Sequence, residues 1–109
     1  REFLYVEDLA DASLFLAENY SSNEPINVGT GIDLSIKTLA YKIKKMVNYG
    51  GRVKYDMSKP DGIFRKVLDV SRINNLGWSA KVTLDEGLKK YYKWYKNNLN
   101  TLRVDWKKR

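Results

Sequence analysis

Tyrosine is followed four residues later by lysine in two helix-patterned stretches of this chain, as Tyr41 with Lys45 and Tyr92 with Lys96. A lysine one helical turn beyond a tyrosine can lower the phenol pKa, so that the oxygen gives or takes a proton at neutral pH. Both pairs fall in amphipathic, lysine-rich stretches where this spacing arises readily by chance, so neither is assigned a catalytic role. Histidine and cysteine are absent. Their absence removes the commonest general base, the commonest metal ligand and any thiolate chemistry from this span. The sequence therefore offers neither a catalytic group nor a metal site.

Gly29-Thr30-Gly31 is the obvious glycine pair. A dinucleotide fingerprint needs a third glycine three residues further on, at the mouth of a helix, and position 34 is Leu34. The pair reads as a tight turn between strand and helix, not as a cofactor loop. The sharper candidate is the run Ser58-Lys59-Pro60-Asp61-Gly62-Ile63-Phe64-Arg65-Lys66. It is polar, constrained by proline and glycine, and ends in adjacent cations. A guanidinium fork suits phosphate oxygens and a lysine supplies a point charge, so Arg65 and Lys66 are candidate anion ligands. Arg52, which opens an extended segment after Gly50-Gly51, is a third. The bland alternative for all of them is an ordinary basic turn and a strand-edge cation.

These residues need a scaffold. Residues 3–6 read as a short strand and 7–20 as a helix, kept slim by Ala10, Ala12, Ser13 and Ala17 and begun by acidic side chains that suit the helix dipole. Residues 26–28 read as a second strand. Ser35 is the expected N-cap of a helix to about Asn48, with an apolar stripe of Ile36, Leu39, Ala40, Ile43, Met46 and Val47. Tyr49-Gly50-Gly51 should end it, before a strand over 52–55. A brief strand at 67–68 precedes a helical turn capped by Ser71. Thr83 and Glu86 form a capping box that opens a helix to about Leu99. Gly87 inside that helix costs about 1 kcal/mol relative to alanine, which points to a close backbone approach. Short strands alternating with helices, too few for a complete doubly wound sheet, make this an α/β lobe that completes a larger domain. Residues 1–99 form the lobe and 100–109 a basic tail.

The chain has 109 residues, 43% hydrophobic and 30% charged, with a net charge of +7. No apolar run is long enough to span a bilayer. Residues 1–36 carry one basic and seven acidic side chains, whereas 37–109 carry nineteen and six. Such asymmetry suggests an anionic ligand, although most of the lysines read as a solvated surface. The opening run without an initiator methionine reads as a piece of a longer protein.

Residues 58–72, Ser-Lys-Pro-Asp-Gly-x-x-Arg-Lys-x-Leu-Asp-Val-Ser-Arg, resemble the signature of the GDP-L-fucose synthases. The opening Arg1-Glu2-Phe3-Leu4-Tyr5-Val6-Glu7-Asp8-Leu9-Ala10 resembles that family's strand-to-helix entry. Asn27-Val28-Gly29-Thr30-Gly31, Leu76-Gly77-Trp78 and the run from Leu84 through Leu88 to Trp94 are similar to motifs widespread among extended short-chain dehydrogenase/reductases acting on nucleotide sugars. The resemblance implies the C-terminal substrate-binding lobe of such an enzyme, with the Rossmann domain outside this span. That domain would bind NADPH and carry the catalytic residues. It further implies a GDP-sugar substrate, conversion of GDP-4-keto-6-deoxymannose to GDP-L-fucose, and a cytoplasmic homodimer with neither a membrane nor a nucleic-acid partner. Arg1, Arg52 and Lys66 match the family's basic contacts to the GDP moiety; Arg65 and Asp61 lie in the same motif with less defined roles. Ile63-Phe64 stands where the family usually has Thr-Pro. The alternatives are another nucleotide-sugar epimerase, dehydratase or reductase of the same superfamily and, from a different class, a basic nucleic-acid-binding module, whose binding would fall steeply with salt.

Overall fold

A computed structural model describes residues 1–60 and 62–102 and shows four helices: α1 (Val6–Asn19), α2 (Ile36–Met46), α3 (Ser71–Asn75) and α4 (Leu84–Asn97). Each boundary has a local cause. Ser35 caps α2 by accepting the Thr38 N–H at 3.0 Å. At the other end Asn48 takes the left-handed conformation (φ 53°), so that the Asn48 and Tyr49 N–H groups bond the Lys45 and Lys44 carbonyls at 3.2 and 3.0 Å. Asparagine thus closes α2 as glycine usually would, two residues before the expected Gly50. Gly77 (φ 107°) does the same for α3, with Trp78 N–H returning to the Ile73 carbonyl. Ser71 is not the cap of α3. It is the first helical residue, and its N–H is held at 2.9 Å by the Asp69 carboxylate.

The capping box of α4 forms as expected: Glu86 Oε2 accepts the Thr83 N–H at 3.0 Å, and Thr83 Oγ1 accepts the Glu86 N–H. Gly87 is buried one turn later. A Cβ there would lie 3.2 Å from Tyr5 Cδ2, so the glycine lets α4 pass close over the Tyr5 ring. Lys90 Nζ stands 5.2 Å from the centroid of the same ring. Lys42 on α2 reaches the Asp85 carboxylate on α4 at 2.7 and 2.9 Å.

The expected strands are extended segments that do not join into a ladder. α1 already begins at Val6, inside the first of them. The bridge found among the described residues pairs Glu2 antiparallel with Asp33, flanked by main-chain bonds exchanged between Arg1 and Leu34 (2.7 and 3.0 Å).

The core is small. Ala12 of α1, Ile73 of α3 and Trp78 are buried, with Leu4, Phe15, Leu16, Ile26, Val28, Val70 and Ala80 packed around them. Ala12, Ile73 and the Trp78 indole share one buried cluster. The Trp78 Nε1–H donates to Asp11 at 2.9 Å, and the buried Asp8 carboxylate accepts the N–H groups of Lys81 and Val82 at 3.1 and 2.9 Å. These bonds satisfy the polar groups the core encloses. On the outer side of α1, Val6 and Leu14 stay 66% and 71% exposed, so that helix has a second apolar face with no cover among the described residues.

Candidate functional site: the basic loop and the Glu2 knot

Three segments distant in sequence meet at the chain's opening residues: the Gly29-Thr30-Gly31 turn, Asp33-Leu34, and the end of the basic loop. Glu2 is the centre. One carboxylate oxygen, Oε1, accepts the main-chain N–H groups of Thr30 (2.6 Å) and Gly31 (2.8 Å) and the Thr30 hydroxyl (3.3 Å). The other, Oε2, accepts the Leu68 N–H at 2.7 Å. Burial opposes ionisation of this carboxyl, but the bonds from Leu68, Gly31 and Thr30 outweigh it and hold the pKa below the ordinary carboxylate value.

Of the candidate residues, Arg1 is drawn to the loop: its Nη1 donates to the Ile63 carbonyl at 2.7 Å. Arg65 turns to Asp33, which receives its Nε and Nη2 at 2.7 and 3.0 Å. That fork lowers the Asp33 pKa and raises that of Arg65, in each case first through the side-chain hydrogen bonds they share. Lys66 is exposed and forms no ion pair with the described residues. Arg52 is also exposed, and no hydrogen bond joins it to the described residues of the loop. Asp61 lies outside the described residues. Phe64 is fully exposed and Ile63 70% exposed.

Three of the cations at the loop therefore differ. Arg1 has one nitrogen committed to the loop backbone, Arg65 is braced by a carboxylate, and the Lys66 ammonium forms no ion pair with the described residues. Glu2, which organises them, has no counterpart among the sequence candidates. Its partners lie 28, 29 and 66 residues away, beyond the reach of any local motif.

The glycine turn does not fit a cofactor phosphate. A phosphate cradle needs main-chain N–H groups open to the ligand, and here those of Thr30 and Gly31 are bound by Glu2. The Gly29-Thr30-Gly31 turn thus does not provide the phosphate site of a nicotinamide dinucleotide. Lys96 Nζ lies over the Tyr92 ring, 4.8 Å from its centroid. Tyr41 and Lys45 line a shallow depression of about 230 Å³ with Lys44, Asn48 and Tyr49, away from the knot. Among the described residues no group of His, Cys, Asp or Glu side chains could hold a metal ion.

No protein-family model matches the chain. It is 50% identical over 99 residues to the probable GDP-L-fucose synthase 1 of Oryza sativa subsp. japonica, covering 91% of this chain and 30% of that protein. To the GDP-L-fucose synthase of Escherichia coli K12 it is 45% identical, over 94% of this chain and 35% of the other. A GDP-6-OMe-4-keto-L-xylo-heptose reductase from Campylobacter jejuni superposes with a TM-score of 0.83 at 38% identity, covering 90% of this chain and 31% of that one. The GDP-mannoheptose C4 reductase of the same organism, solved with NADP bound, superposes at 0.75 with 39% identity, over 88% and 31%. The chain thus spans about a third of the length of the proteins it matches, in each curated relative the C-terminal part. On sequence and fold together, the chain matches the C-terminal part of GDP-L-fucose synthases and superposes on the corresponding part of solved reductases of the extended short-chain dehydrogenase/reductase type.

Proposed function

We propose that this chain is the substrate-binding portion of an NADPH-dependent epimerase-reductase that converts GDP-4-keto-6-deoxy-D-mannose to GDP-L-fucose. The observation that carries the reading is its similarity to GDP-L-fucose synthases over nine-tenths of its length, the basic loop included. In this reading residues 1–99 form the nucleotide-sugar lobe. Arg1, Arg52 and Lys66 contact the GDP moiety, and Arg65 with Asp61 shapes the loop. The exposed Lys66 ammonium and the remaining donors of Arg1 neutralise the diphosphate and so hold the sugar in register with catalytic groups and NADPH on the preceding domain. The whole enzyme is a cytoplasmic homodimer. Charge-assisted hydrogen bonds suit this task, since they fix orientation as well as adding affinity.

The test is to supply the full-length protein with NADPH and GDP-4-keto-6-deoxymannose, follow cofactor oxidation and identify the product by chromatography. GDP-L-fucose is the expected product. A second reading, reduction of a different GDP-sugar, is favoured by the resemblance to the GDP-heptose reductase and by Ile63-Phe64 at the loop's turn. Tight GDP binding without oxidation of NADPH by the deoxymannose substrate would replace the first reading with the second.

A further inference from the structure

We propose that Glu2 is a positioning residue for Lys66, its carboxylate fastening the main chain beyond the lysine to the Gly29 turn and so aiming the ammonium at the substrate diphosphate. This rests on the reading of Lys66 as a diphosphate ligand. The geometry is a brace on both sides of a cation that forms no ion pair with the described residues. The residue before Lys66 is Arg65, whose fork is spent on Asp33 at 2.7 and 3.0 Å. Two residues after it, the Leu68 N–H is held by Glu2 Oε2 at 2.7 Å. Asp33 and Glu2 are themselves bridge partners, so both braces stand on one foundation. Further upstream, Arg1 Nη1 holds the Ile63 carbonyl. The loop is therefore tied at positions 63, 65 and 68, and the exposed Lys66 side chain lies between the last two ties.

A carboxylate suits this place because it only accepts. Each oxygen of Glu2 receives at least one main-chain N–H. Glutamine has the same shape but must turn its NH2 group toward one of those N–H groups, either that of Leu68 or those of Thr30 and Gly31. Glu2→Gln therefore releases one anchor while leaving the volume unchanged.

A residue that only supported the fold would weaken GDP binding whether or not Lys66 were present. A positioning residue acts through Lys66, so its effect disappears once the lysine is gone. The experiment is a double-mutant cycle in the full-length protein, with Glu2→Gln, Lys66→Ala and the pair, each titrated calorimetrically with GDP beside a melting curve. Glu2→Gln alone should weaken GDP binding by about tenfold, and in the Lys66→Ala background by less than about twofold. An equal factor in both backgrounds, or no loss from Glu2→Gln while Lys66→Ala loses affinity, overturns the inference and leaves Lys66 a ligand. Unchanged affinity in Lys66→Ala removes the underlying reading and the inference with it. Should Glu2→Gln not fold, Asp33→Asn loosens the other brace at a more accessible point, and the same non-additivity with Lys66→Ala is expected. Additive losses there count against the proposal equally.

Discussion

Gly29→Ala offers a direct measure of the Glu2 knot. A Cβ built at Gly29 overlaps Glu2 Oε1 and comes within 3.1 Å of both Glu2 Cδ and Leu68 Cδ1. The carboxylate cannot simply swing aside, because three main-chain N–H groups hold it at 2.6–2.8 Å. Moving it by about 1 Å takes those bonds beyond hydrogen-bonding distance. A hydrogen bond to a charged acceptor contributes about 1.5–3 kcal/mol. Losing one or two of the three at a half-buried site, where water restores part of the loss, gives about 2–4 kcal/mol. At 1.4 kcal/mol per tenfold, that corresponds to a fall in amide protection of roughly 30- to 1,000-fold. Hydrogen exchange on the full-length protein should show it at Thr30, Gly31 and Leu68, with the amides of α4 unchanged. Gly50→Ala is the control: nothing lies within 4 Å of its added Cβ, so protection should stay at the parent level. Undiminished protection at Leu68 in Gly29→Ala would refute the assignment of Glu2 as the group that holds it.

Other outcomes follow from the same geometry. Arg52→Ala and Lys66→Ala in the full-length protein should each weaken GDP binding by roughly tenfold to a hundredfold while NADPH affinity holds. Arg52→Lys should recover only part of the loss if the contact is bidentate, and calorimetry with each nucleotide checks both. Because the folded pKa of Glu2 is lowered, its tether is fully present above the ordinary carboxyl value of about 4.3 and is lost as pH falls through the lower folded value. Leu68 protection, corrected for intrinsic exchange, should accordingly persist from neutrality to about pH 4 and collapse below it; loss near neutrality would rule out the carboxylate as acceptor. This chain alone should leave NADPH unoxidised in the presence of GDP-4-keto-6-deoxymannose. Turnover by it would place the catalytic groups here after all.

Features decided within one turn of chain were legible in the sequence. Ser35 and the Thr83–Glu86 box cap α2 and α4 because a side chain three residues away is always within reach. Gly87 revealed a close approach, and Tyr5 is what approaches. Features decided by distant partners were not legible. The pattern of residues 3–6 encodes extended backbone but not a neighbour to pair with, and the helix dipole contacts of Glu7 and Asp8 extend α1 back to Val6. Asn48 ended α2 ahead of the glycines because asparagine, too, tolerates the left-handed region. At the site, Arg65 was read as a loop cation and Arg1 entered only through the resemblance, yet their partners Asp33 and Ile63 were invisible, and Glu2 was missed altogether. Nothing in a glutamate flanked by Arg1 and Phe3 announces that it will bind N–H groups at 30, 31 and 68.

The span of these ties has a consequence for biosynthesis. Trp78 closes on Asp11 across 67 residues, Val82 on Asp8 across 74, and Leu68 on Glu2 across 66. A ribosome working from the amino end therefore releases α1 long before the residues that bond Asp8 and Asp11. Until residue 82 has emerged, Asp8 lacks the N–H groups it will enclose, and Ala12 lacks both the isoleucine and the indole that cover it. Contacts of such long range form slowly, and the unfinished chain shows its apolar surface in the meantime. Nascent-chain arrest should consequently yield a protease-sensitive segment at every length short of about residue 82, with resistance gained in one late step.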